Sequence, residues 1–187
     1  MKVIIIDNND SFTYNLKYYI NQFCDNVDVL RSNQVHLEDL VIYDKILFSP
    51  GPGLPNEHPI LNAILDKYAN SKSILGVCLG HQAIAEFYGC KLLNLTDSMH
   101  AISSELKHLN NCSLFENLPD NFKIGHYHSW VIDNVDFSER LEITSINEDG
   151  LIMSIKHKKY NIKAVQFHPE SILTEYGLEL IRNWLLN

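Results

Sequence analysis

The chain has 187 residues, 45% of them hydrophobic, enough for one domain with a substantial core and no need of disulfide or metal staples. Its net charge of −8 argues against a nucleic-acid surface and leaves no basic patch for an anionic membrane. The four cysteines, Cys24, Cys78, Cys90 and Cys112, contain no C-x-x-C pair, which excludes zinc-finger spacing and a small secreted disulfide scaffold.

Residues 3–6 form a continuous apolar run, the mark of a strand buried on both faces. The run is too short for a signal peptide, and no other run approaches the roughly 20 apolar residues of a membrane span. Reduced cysteines and a cytoplasmic location are therefore expected. On that expectation the glycosylation patterns Asn94-Leu95-Thr96 and Asn111-Cys112-Ser113 are coincidental. From Ser11 onward, Phe12, Leu16, Tyr19, Ile20 and Phe23 share one helical face. Val27–Leu30 reads as a second strand and Ile46–Phe48 as a third, ending in Ser49-Pro50-Gly51-Pro52-Gly53. Pro59 can open a helix with the stripe Ile60, Leu61, Ile64, Leu65 and Tyr68. A strand at 73–77 then delivers Cys78, followed by a helical run from His81 to Tyr88 closed by Gly89. This succession predicts an α/β fold, a doubly wound and mostly parallel sheet flanked by helices, with ligands at the carboxyl ends of its strands.

The second half changes character. Short strands are predicted at 100–107, 122–131, 141–147, 151–156 and 163–167, adding antiparallel pairs, with Asp149-Gly150 as a hairpin turn. Thr174 is placed as the N-cap of a last helix carrying Leu178, Ile181 and Leu185. With no repeat, low-complexity segment or linker, residues 1–187 are taken as one domain.

Gly76-Val77-Cys78-Leu79-Gly80 reads as a nucleophile elbow carrying a thiol. The glycines permit a tight turn, and the position at a helix N-terminus favours a thiolate. A small buried cysteine in a glycine-bearing turn is the competing reading. A free thiol is only a few per cent ionised at neutral pH, so catalysis needs a base. Among nine histidines, His168 follows the strand Ala164–Phe167, which brings it to the same sheet edge as Cys78. Glu170, two residues on, can accept an imidazole N–H and fix the tautomer. Cys78, His168 and Glu170 thus make a nucleophile, base and orienter, unless His168-Pro169-Glu170 is a solvated surface turn. The glycine loop Ser49–Gly53 can present a backbone N–H which, with that of Leu79, would form an oxyanion hole; a rigid loop of turn residues is the alternative. His126 and His128 share a face if extended, but no local carboxylate or cysteine completes a metal site, and none is expected. Trp130 is assigned to the core or a pocket wall, and Ser129 to a polar contact with a ligand.

Five segments together resemble the class I, triad-type glutamine amidotransferases: Asp7–Asn15, Ser49–Gly53, Gly76–Gln82, Tyr127-His128-Ser129 and Gln166–Ser171. The resemblance spans the chain and is strongest to the amidotransferase subunits of anthranilate synthase and aminodeoxychorismate synthase, the first segment pointing to that chorismate-using branch. It implies that Cys78 attacks glutamine, with His168 as base and Glu170 as its orienter. It further implies a glutamyl thioester, hydrolysed to glutamate, and ammonia passed to a separate chorismate-using large subunit. Gly51 and Leu79 occupy the oxyanion positions; Gly51, Pro52, Gly53, Gln82, Ser129 and Trp130 occupy the glutamine-binding ones. No cofactor is implied in this subunit. Asn9 stands where the family has a bulkier residue, and Trp130 where leucine is common. A stand-alone γ-glutamyl hydrolase or cysteine peptidase leaves the first segment unexplained. A non-catalytic binding module leaves the retained thiol, imidazole, carboxylate and glycine loop unexplained. The product, anthranilate or 4-amino-4-deoxychorismate, is left open by the sequence.

Overall fold

Alternation along the first strand sets the layering. The structure, a computed structural model, describes residues 1–109 and 112–187; Asn111 of the second glycosylation pattern lies outside them. Strand β1 (Val3–Asp7) is buried throughout. It points Ile4 and Ile6 into one apolar cluster and Val3 and Ile5 into another, as the two-residue period of a strand requires. The first cluster is covered by helices α2 (Pro59–Tyr68) and α3 (Leu79–Phe87), the second by α1 (Thr13–Asn21) and α4 (Gly177–Leu186). Between the two helical layers run β2 (Val27–Arg31), β3 (Lys45–Phe48), β4 (Ser73–Val77) and β9 (Ile162–Val165) beside β1. All of these pair in parallel.

The sheet continues through β8 (Ile152–His157), β7 (Leu141–Asn147), β5 (Leu92–His108) and β6 (Asn121–Ile132), all antiparallel. The complete order is β2-β1-β3-β4-β9-β8-β7-β5-β6. Strand β9 therefore joins the parallel half to the antiparallel half, and it is the strand that leads to His168. The β7–β8 turn is the expected one: Gly150 has φ +78°, and its N–H donates to the Asn147 carbonyl at 3.0 Å.

Three expectations need correction. Strand β5 runs Leu92–His108, nine residues longer at its two ends than predicted (eight before residue 100 and one after 107), because its early part is mostly exposed and has no apolar alternation to read. Thr174 does not cap α4. Its hydroxyl donates to the His168 carbonyl at 2.6 Å and accepts the Gly125 N–H at 2.9 Å, while α4 starts after Tyr176, at φ +58°. Helix α1 starts at Thr13 rather than Ser11 and ends before Phe23, which is exposed. The Asp7 carboxylate organises its approach, accepting the Asn9 and Asp10 N–H groups and the Thr13 hydroxyl.

Candidate active site

Cys78 follows directly from β4, the strand between β3 and β9, and precedes α3. Its backbone sits at φ +51° and ψ −102°, a conformation that costs a non-glycine residue on the order of 1–3 kcal/mol. The surroundings hold it there. The Cys78 N–H donates to the Val165 carbonyl of β9 at 2.8 Å, and its own carbonyl accepts the Gln82 N–H at 3.0 Å. The two flanking glycines allow α3 to lie against the sheet. A Cβ on Gly76 would stand 2.5 Å from the Gly80 carbonyl oxygen, and one on Gly80 2.6 Å from the Phe48 oxygen. The predicted elbow is thus present, with the thiol at the start of a helix.

His168 comes to the same edge just beyond β9. Its Nδ1 lies 2.7 Å from Glu170 Oε1, and both side chains are buried. The backbone around it is fixed on both sides: its N–H donates to the Gly125 carbonyl of β6, and its carbonyl accepts the Thr174 hydroxyl. Phe12 and Tyr127 meet the imidazole edge-on, with ring centroids 5.8 and 5.0 Å away. Burial alone would push the imidazolium down. The charge and hydrogen-bonding capacity of Cys78, together with Glu170, outweigh burial and hold His168 well above the usual histidine value. Nε2 of His168 is buried with no conventional hydrogen-bond partner among the described residues, leaving the sulfur as the charge it answers to. Sequence reasoning placed these three side chains, and the structure brings all three together.

Gln166 was not foreseen. Its amide donates to Cys78 Sγ at 3.7 Å, and its carbonyl oxygen accepts from Gln82 Nε2 at 3.2 Å. The signal available was the predicted strand 163–167, which would project positions 166 and 168 to one side, although β9 itself ends at Val165.

A cavity of about 190 Å³ opens beside the sulfur, lined by Gly51, Pro52 and Gly53 on one side and by Gln82, Ser129 and Trp130 on another. All six predicted glutamine-binding positions therefore border one space with Cys78. Ser98, Tyr127 and His128 border it too, and none of these was assigned to the pocket from sequence. The volume is below the roughly 300–1,000 Å³ of pockets for drug-sized ligands, so it suits a small polar molecule. The glycine loop is braced from β1: the Asn8 N–H donates to the Ser49 hydroxyl and the Asn8 side-chain amide to the Ser49 carbonyl, both at 2.9 Å. Gly51 passes so close to Asn8 that a Cβ would lie 2.6 Å from it. Neither the Gly51 nor the Leu79 N–H finds a backbone acceptor among the described residues, which leaves both free to donate to an oxyanion.

His126 and His128 do share a face, as the extended reading required. They hydrogen-bond each other, Nδ1 to Nε2 at 3.0 Å, and no group of three potential ligands suited to a metal exists among the described residues. Burial pushes His126 down to about 4 and His128 to about 3, so both are neutral at physiological pH.

Fold and site define a class: α/β proteins that assemble a thiol, an imidazole and a carboxylate at the carboxyl edge of a parallel sheet, beside a small polar pocket. The chain belongs to the class-I glutamine amidotransferase family, whose model matches residues 4–187. A Haemophilus influenzae protein provisionally named anthranilate synthase component II is 44% identical over 185 residues, covering 99% of this chain and 96% of that protein. A Klebsiella aerogenes protein named aminodeoxychorismate synthase component 2 is 39% identical, with 98% of each chain covered. A solved Thermoplasma acidophilum structure, provisionally assigned to GMP synthase, matches with a TM-score of 0.89 at 20% identity, covering 99% of this chain and 92% of that one. At that identity the likeness shows the fold.

Proposed function

We propose that this glutamine amidotransferase supplies ammonia to a chorismate-using synthase subunit, for anthranilate or for 4-amino-4-deoxychorismate. Relatives named for those two synthases, similar over nearly their whole length, support the choice of partner. The observation that carries the chemistry is the buried 2.7 Å contact between His168 and Glu170 beside a thiol held on a strained elbow.

In this reading the Cys78 sulfur attacks the side-chain carbonyl carbon of glutamine in the pocket. The oxyanion that forms accepts the Gly51 and Leu79 N–H groups. His168 gives its proton to the leaving nitrogen as the C–N bond breaks, releasing ammonia and leaving a γ-glutamyl thioester. A water molecule, deprotonated by His168, then attacks the thioester; glutamate leaves and the sulfur is restored. Glu170 holds the imidazole tautomer and offsets its positive charge. Every group in this sequence is a side chain or backbone amide of the chain, so it calls on no cofactor. A sheet that is continuous through nine strands among the described residues supports treating residues 1–187 as one amidotransferase domain. Four buried free thiols support a cytoplasmic location; no helix among the described residues is long and apolar enough to cross a membrane.

The test is Cys78→Ser in the assembled complex. Glutamine-dependent synthesis is lost, while synthesis from added ammonium salt continues at the rate of the unaltered complex. Loss of both activities in an intact complex contradicts the ammonia-supply role.

A further inference from the structure

The buried histidine pair continues into a third group that the chemistry above leaves unused. Ser104 Oγ of β5 lies 2.6 Å from His126 Nε2, and His126 Nδ1 lies 3.0 Å from His128 Nε2. All three residues are buried, and the far one, His128, borders the cavity beside Cys78. Two neutral imidazoles in series carry one N–H each, so their protons must all point the same way along the chain. Either Ser104 donates into it, or His128 does.

The pocket end selects the direction. His128 Nε2 faces His126, so hydrogen bonding with the Trp130 backbone, which favours a proton on the ring, bears on Nδ1, a buried atom with no partner of ordinary geometry among the described residues. The Trp130 carbonyl also accepts from Gln82 Nε2 at 2.9 Å. The consistent order is therefore Ser104 O–H to His126 Nε2, His126 Nδ1–H to His128 Nε2, and His128 Nδ1–H toward Trp130. A charge on His128 would also oppose the one on His168, which already weighs against protonating His126 and His128.

We propose that Ser104 and His126 are positioning residues for the glutamine pocket, setting the tautomer of His128 and, through it, the Ser129–Trp130 wall. The inference rests on the reading of this cavity as the glutamine site. Neither residue touches the cavity, and their effect is exerted on substrate binding rather than on the thiol.

Imidazole nitrogen NMR of the whole protein and steady-state glutaminase kinetics test it together. Wild type shows His128 protonated at Nδ1 and His126 unprotonated at Nε2. Ser104→Ala scrambles that assignment and raises the KM for glutamine about tenfold, the scale of one lost hydrogen bond, with kcat changed far less. Ser104→Thr, which keeps a hydroxyl, restores both, and His126→Gln restores KM more than His126→Leu does. A wild-type His128 protonated at Nε2 overturns the proposal. So does Ser104→Ala with unchanged KM, or with kcat falling and KM constant. Absence of glutaminase activity in wild type itself, with the proton order as stated, would count against the functional reading instead, and the NMR arm separates the two.

Discussion

Gly80→Ala probes how the elbow is held. Added at Gly80, a methyl lies 2.6 Å from Phe48 Cβ and oxygen and 3.2 Å from its carbonyl carbon. Carbon contacts settle at about 3.5–4.0 Å, so α3 must retreat from β3 by roughly 1 Å. The sheet cannot yield in its place, because β3 is fully buried and paired on both sides by β1 and β4. Overpacking of this kind costs about 1–3 kcal/mol, against at most about 1 kcal/mol that alanine gains over glycine inside a helix. The clash wins, and near the first turn of α3 the propensity gain is smaller still. A net loss of roughly 1–2 kcal/mol lowers Tm by about 2–8 °C in a chain of this size. The same retreat carries the Leu79 N–H and the sulfur with it. Misplacement by 1 Å costs on the order of 10²-fold in rate. Differential scanning calorimetry and a glutaminase assay read the two effects. A Tm equal to or above wild type, with full activity, would refute the argument that backbone approach at Gly80 fixes the elbow.

Glu170→Gln keeps the shape of the carboxylate but removes its charge, and glutaminase kcat should fall on the order of 10³-fold or more while the fold survives; retention of most of the activity counts against Glu170 as orienter. Thr174→Val strands the Gly125 N–H and leaves the His168 carbonyl only the Ser171 N–H, which should cost about 1–3 kcal/mol in urea unfolding; an unchanged midpoint contradicts the reassignment of Thr174 from helix cap to loop brace. Acid stability follows from His81, His126 and His128, which burial holds at about 3, 4 and 3. Below about pH 6.5 the unfolded chain takes up protons that the folded one refuses, so stability falls with pH by about 1.4 kcal/mol per unit for each histidine. The fall runs toward pH 4, opposed in part by Asp10 and Glu86, whose carboxyls burial raises. His168 works in the opposite sense: raised in the fold, it lends stability that is complete below about pH 6.5 and fades as pH climbs through its folded value. Stability that is flat between pH 6.5 and 5 in pH-resolved melts would contradict neutral burial of the three.

The parallel half was legible because its strands are short apolar runs and its helices keep buried stripes; Leu61, Ile64, Leu65 and Tyr68 of α2 all reach the core. His168 and Glu170 were legible because their contact is local, two residues apart. The Ser104–His126 contact was not. It depends on β5–β6 register, and that register shifts between His100 and Ile102, where Ala101 has φ +55°. Spacing in sequence carries no trace of such a shift. The early part of β5 is hidden for a related reason: Asn94, Thr96, Asp97 and Ser98 show no strand alternation, and the register to β6 also shifts between Asn94 and Met99. Asn9 reads differently once its backbone is known: φ is +65°, a region that asparagine enters more readily than bulkier residues.

Strand β9 lies between β4 and β8, although both precede it in the chain. A ribosome therefore releases the elbow well before the strand that will flank it, and until then β4 and β8 each present an unpaired edge. Cys78 emerges without the base proposed for it, its N–H without the Val165 acceptor, and its strained turn without the brace that holds it. On the proposed mechanism reactivity therefore waits on β9: that strand joins the two halves of the sheet and brings His168 to the thiol, so a nascent chain that stops short of it cannot consume glutamine.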